Sequence, residues 1–97
     1  MKKDNIKTLV NFYNNGGLNF TQFRSCNAYV SEPVYNSAFD VMFQLVKSYN
    51  TIVGFVNLTK KEYIELGKWS RTTSKQVTQI HNTMFSNFER KFIDLFN

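Results

Sequence analysis

From Phe39 the chain changes its hydrophobic period to two: Phe39, Val41, Phe43 and Leu45 alternate with Asp40, Met42, Gln44 and Val46. A helix would scatter these residues around its axis, whereas a strand with one buried face collects them on one side. A strand here needs partners, and the following residues supply them. Thr51–Val56 is rich in β-branched residues, with Gly54 marking a bulge or a close backbone approach. Tyr63-Ile64-Glu65-Leu66 reads as a third short strand ended by Gly67. Ser48-Tyr49-Asn50-Thr51 and Asn57-Leu58-Thr59-Lys60 are the intervening turns, Asn50 being the residue suited to positive φ. Together they predict an antiparallel meander of three or four strands.

Helical periodicity flanks the meander. Ile6, Leu9, Val10 and Tyr13 form a stripe behind an Asp4 cap, and Asn14-Asn15-Gly16-Gly17 is a strong stop, predicting a helix over 4–15. Phe20 and Phe23 suit one helical turn, Ala28-Tyr29-Val30 a short strand, and Pro33 its end or an edge position. At the other end, Val77, Ile80, His81, Met84, Phe85, Phe88, Phe92, Leu95 and Phe96 fall on one side of a long C-terminal helix. That stripe exceeds the roughly 100° a surface helix needs, so its surplus is expected to pack on the first helix or to form a homodimer. The expectation is a single α+β domain over 1–97: an N-terminal helix, a three- or four-stranded antiparallel β-meander, and a long C-terminal helix packed on one face.

Composition narrows function more than fold. Ten phenylalanines and five tyrosines in 97 residues make the core aromatic. One cysteine excludes an internal disulfide and suits a cytoplasmic setting. One histidine, one cysteine and scattered carboxylates give no metal-ligand or paired acid–base spacing, so neither a metal nor a cofactor is expected. No apolar run suits a signal peptide or a membrane span. Cys26 and His81 are the one conceivable nucleophile–base pair, but His81 falls in an apolar stripe and reads as structural. Gly16-Gly17 lacks the spacing of a phosphate loop. A formal charge of +5 favours an anionic partner, whether nucleic acid, nucleotide or an acidic protein face, where it is more than ordinary solubility charge.

The densest polar chemistry lies in Lys68-Trp69-Ser70-Arg71-Thr72-Thr73-Ser74-Lys75-Gln76, with four hydroxyls and three cations. Thr73 and Gln76 fit a capping box. The same helix start offers unpaired amides to a phosphate or carboxylate. Ser70, Thr72 and Ser74 add donors there, and Lys68, Arg71 and Lys75 add charge. Lys60 and Lys61 join if the third strand turns back, and Trp69 either stacks on a base or anchors the loop. These nine residues are the candidate anion, nucleic-acid or partner-binding site.

The pair "SYNTIVG" (Ser48–Gly54) and "KWSRTTSKQ" (Lys68–Gln76) resembles a family of small uncharacterised proteins from bacteriophages and related mobile elements. That family joins an S-Y-x-T-x-V strand to a W/Y-S-x-T-T-S-K/R-H helix start; the likeness spans Ser48 to His81, about a third of the chain. Gln76 replaces a frequent histidine and Gly54 a frequent alanine. The resemblance implies a phage-type origin and a sheet-then-helix core, and it carries no known catalytic residue. With the basic charge it yields two expectations. The first is a non-enzymatic protein that inhibits a host protein or ribonucleoprotein, such as a CRISPR effector or another defence complex. The second is a small DNA- or RNA-binding regulator. A nucleotide held at the helix start is a weaker third.

Overall fold

The computed structural model describes residues 1–95. Among them are α1 (Lys3–Tyr13), β1 (Phe20–Gln22), β2 (Ala28–Ser31), β3 (Val34–Asn36), β4 (Val41–Ser48), β5 (Thr51–Asn57), β6 (Glu62–Glu65), α2 (Arg71–Met84) and β7 (Glu89–Phe92). The strands form one sheet in the order β1-β2-β4-β5-β6-β7, with β3 also paired to β4. The fold is α+β, as the sequence predicts, but with seven strands instead of three or four.

The period-two stretch is β4, and its two faces have different fates. Val41, Phe43 and Leu45 are buried with Ile6, Leu9 and Val10 of α1. Val46 is buried on the other face with Val77 and Ile80 of α2. The sheet is therefore covered by α1 on one side and α2 on the other, instead of by one helix on one face. Burying a ring such as Phe43 or Phe55, both fully enclosed and stacked at 5.0 Å, stabilises the fold by about 1.5–3 kcal/mol each. β5 is buried continuously from Ile52 to Asn57, as a central strand covered on both faces must be.

The meander β4-β5-β6 stands as read. Gly54 adjoins the bulge expected of it, and the neighbour that crowds it is a side chain instead of a backbone. Val46 pairs with Gly54 and Lys47 with Ile52, so Val53 is the extra residue of a bulge. A Cβ on Gly54 would lie 3.1 Å from the Cβ of Val46. The hairpin turn differs in one detail: Tyr49, not Asn50, takes positive φ, at 54°.

Three expectations are corrected. First, α1 starts at Lys3 behind Lys2 and ends at Tyr13; Asp4 is in the first turn, where its charge suits the helix dipole, and is not the cap. The stop is as read, with Gly16 and Gly17 at φ 107° and 93°. Second, residues 18–38 form three short strands. Phe20 starts β1 instead of a helical turn, whereas the strand read at Ala28–Val30 is present as β2 and Pro33 follows its end, separating it from β3; β2 and β3 pair with successive parts of β4.

Third, the long C-terminal helix ends at Met84. Phe88 N–H donates to Phe85 O at 2.9 Å to make a turn, and β7 then runs parallel to β6. Ion pairs Arg90–Glu65 and Lys91–Glu62 hold β7 on the sheet. The over-wide stripe has a plain cause: Phe85 belongs to the α2 face and Leu95 to the α1 face. The stripe beyond Phe85 is thus not helix surface, which removes the over-wide helix face as an argument for a homodimer, although Met84 at the end of α2 is 47 % exposed. Phe96 lies outside the described residues.

Candidate functional site

α2 begins one turn earlier than the capping-box pattern suggests. Ser70 is the N-cap, its Oγ accepting from Thr73 N–H at 3.3 Å. Thr73 and Gln76 are thus inside the helix and turn to the sheet. Ser48, at the end of β4, donates its hydroxyl to Gln76 Oε1 at 2.8 Å. Its one proton is thereby spent, so the 3.1 Å contact with Thr73 Oγ1 has Thr73 as donor. The relay Thr73→Ser48→Gln76 ties the β4-β5 hairpin to the first turns of α2. The two quoted stretches of sequence meet at this point, and Gln76 is engaged in a buried structural bond.

The tie brings two features together at one end of the molecule. One is Tyr49, next to Ser48, with 56 % of its surface exposed on a left-handed backbone. Such a backbone is uncommon for a residue of this bulk. The other is the cation group Lys68, Arg71 and Lys75, all exposed. Arg71 and Lys75 are four apart on one helix and so share a face. Neither they nor Lys68 form an ion pair among the described residues, whereas Arg90 and Lys91 are paired with glutamates. Lys91 holds its proton more tightly than an ordinary lysine because Glu62 accepts a hydrogen bond from it.

No acidic residue occupies the first turn of α2. Cations at a helix N-terminus oppose the dipole, at a cost of about 0.3–1 kcal/mol each when exposed. This group is electrostatically misplaced for stability alone, and a bound anion would offset the cost.

The hydroxyls contribute less than expected. Ser70 is committed to the cap, and Ser74 Oγ donates to Trp69 O at 3.4 Å. Thr72 is exposed, with no hydrogen bond among the described residues. Trp69 is the anchor of the two alternatives read for it. It is half-buried, packs against both core clusters, and lies so close over Gly67 that a Cβ there would be 3.1 Å from Cζ2.

Lys60 and Lys61 do not join the site. They occupy the β5-β6 turn, where Asn57 Oδ1 accepts from Lys60 N–H and Lys61 O accepts from Glu89 N–H, just after α2 has ended. The 14-residue helix separates the two ends by about 20 Å. β6 must run the length of the sheet before α2 begins, so the two basic stretches face opposite ways.

Beside the cations a cleft of about 410 Å³ is lined by Glu65, Gly67, Lys68, Trp69, Ser74 and Phe92. Phe92 is 48 % exposed there. Sequence reasoning missed both Tyr49 and Phe92. The first was legible as the aromatic of "SYNT"; the second was absorbed into the helix stripe.

Cys26 and His81 have separate duties. Cys26 Sγ donates to Phe23 O at 2.9 Å, while His81 Nε2 contacts Phe88 O at 3.0 Å and its ring packs on Tyr63. Tyr63 donates to Val77 O at 2.7 Å, and burial pushes its phenol well above the ordinary range. Among the described residues no group of three or more His, Cys, Asp or Glu could hold a metal, and no helix is long and apolar enough to cross a membrane. Comparison with family models, with curated proteins and with solved structures returns no match for this chain.

Proposed function

We propose that this chain is a non-enzymatic, phage-type inhibitor that works by occupying an anionic surface on a host nucleic-acid-processing or defence complex, a CRISPR effector being one such target. The phage part rests on the resemblance of Ser48–Gly54 and Lys68–Gln76. The binding part rests on one observation: Lys68, Arg71 and Lys75 crowd the positive end of α2 without an acidic neighbour in its first turn. Surface cations that merely confer solubility gain from sitting near carboxylates, as Arg90 and Lys91 do.

The test is capture from bacterial lysate on immobilised protein, wild type beside a Lys68→Glu/Arg71→Glu/Lys75→Glu variant. A specific host protein retained by the wild type and released by the variant is the expected result. Recovery of nothing specific, or equal recovery by both, rejects the proposal.

A second reading, direct binding of DNA or RNA, is favoured by Tyr49, whose exposed ring at the end of the molecule where α2 starts suits base stacking. It requires an affinity that falls steeply with salt, each cation removed lowering the slope by about one. Absence of a gel shift at low salt removes it.

A further inference from the structure

The edge of the sheet beside the cations is chemically open. Glu89 N–H donates to Lys61 O at 3.0 Å and Ile93 N–H to Glu65 O at 2.8 Å. In a parallel pair alternate residues bond to the neighbour. Glu89, Lys91 and Ile93 therefore face β6, and the N–H and C=O groups of Arg90 and Phe92 face outward. β7 is the last strand of the sheet, every residue of it is exposed, and no strand among the described residues covers it.

Proteins guard such edges with charges that project over them. Here the two cations of β7 are drawn back onto the sheet: Arg90 to Glu65 and Thr78, Lys91 to Glu62. The guard is weak where it is most needed, beside Phe92. Phe92 pairs in register with Glu65, so its ring stands on the α2 face of the sheet, at the cleft formed with Glu65, Gly67, Trp69, Lys68 and Ser74; Arg90 balances the Glu65 carboxylate, which leaves Lys68 as the cleft's unpaired charge.

We infer that β7 is a docking edge for an extended acidic peptide segment of the partner, added as a further strand. Main-chain bonds to Arg90 and Phe92 supply the pairing. A strand laid there sets one side chain beside Phe92, at cross-strand distance. That side chain is apolar, because Phe92 and Trp69 flank it. Its neighbours on the same face approach Lys68 and the start of α2, and are acidic. This deepens the proposed function and rests on it for the cationic flank.

The test uses the whole 15N-labelled protein and a seven-residue peptide with glutamate, phenylalanine and glutamate on one face and threonine on the other. A twin peptide carries lysine for glutamate. The acidic peptide should slow exchange of the Arg90 and Phe92 amides by about tenfold or more, as expected of a hydrogen-bonded strand, while the twin leaves them fast. Phe92→Pro removes an outward amide and none that faces β6, so it should abolish the protection. Should that variant fail to fold, Lys68→Glu serves instead, with an expected tenfold or greater loss of peptide affinity. Unchanged exchange at the two amides, equal binding of the twin, or protection by oligothymidylate in place of the peptide overturns the inference. If a lysate partner is kept by Phe92→Pro yet lost by the triple glutamate variant, the edge is wrong and the cationic surface stands. If the triple variant keeps it, the proposed function falls first.

Discussion

Ser48→Ala tests the tie on which the composite site depends. Ser48 is 3 % exposed and Gln76 7 %, so water cannot readily replace the missing hydroxyl. The substitution removes the donor to Gln76 Oε1 and the acceptor for Thr73 Oγ1 in one step. An orphaned buried acceptor costs about 1–3 kcal/mol. Thr73 is only half-buried and can turn to solvent, adding about 0.5 kcal/mol at most. The expected total is about 1–3.5 kcal/mol, or a Tm lower by about 4–28 °C for a domain of this size. Urea unfolding followed by Trp69 fluorescence measures it. Gln76→Met alone should also destabilise, yet Ser48→Ala with Gln76→Met should cost less than the sum, because the pair then leaves no unmet acceptor. A coupling of about 1–2 kcal/mol is expected. If Ser48→Ala costs under about 0.5 kcal/mol, or if the two changes simply add, the relay does not bind hairpin to helix and the composite site loses its foundation.

Arg71→Gln should raise the stability of the free protein by about 0.3–1 kcal/mol, since a cation leaves the positive end of α2, while weakening partner capture; a variant that destabilises the chain contradicts the electrostatic reasoning. Gly54→Ala forces its Cβ to within 3.1–3.3 Å of Val46 and should cost about 1–3 kcal/mol, with Val46→Gly, which removes both the Cβ and the Cγ2 it meets, relieving part of that in the double variant; strict additivity in urea midpoints would disprove the contact. Tyr63 keeps its proton in the fold after an exposed tyrosine has lost its own at about 10, so the unfolded state releases the extra proton and stability falls as pH rises above 10. Tyr63→Phe should flatten that decline by about 1 kcal/mol between pH 10 and 11, and identical slopes for the two proteins over that interval would be the contrary outcome.

What could be read in advance follows from how local each signal is. β4, β5 and β6 announce themselves through alternation, β-branching and tight turns, all properties of neighbouring residues. The bulge at Gly54 was legible because a glycine inside a strand has few other reasons to be there. β7 was not legible, because its four residues carry three charges and its pairing is with a strand 27 residues earlier, Glu62 with Glu89. Its aromatic Phe92 happened to continue the helical spacing of Val77 and Ile80. The cations of the site were visible as residues, but their grouping was only half visible: Lys68, Arg71 and Lys75 share one helix start, whereas Lys60 and Lys61 are separated from it by the length of β6. Tyr49 required knowing that Ser48 touches α2.

The position of the cation group then has a structural cause independent of any ligand. Ser48 holds the start of α2 against the hairpin, and Trp69 lying on Gly67 holds the preceding loop against both cores. Lys68, Arg71 and Lys75 form no ion pair among the described residues, and Glu65, which lines the same cleft as Lys68, is taken by Arg90. A chain optimised for stability alone would place an acidic residue in the first turn of α2 and release Glu65 to a lysine. This one keeps its anchors rigid, its end positive and its adjoining edge unpaired, a combination that lowers the stability of the isolated protein and raises the gain from a partner able to satisfy all three.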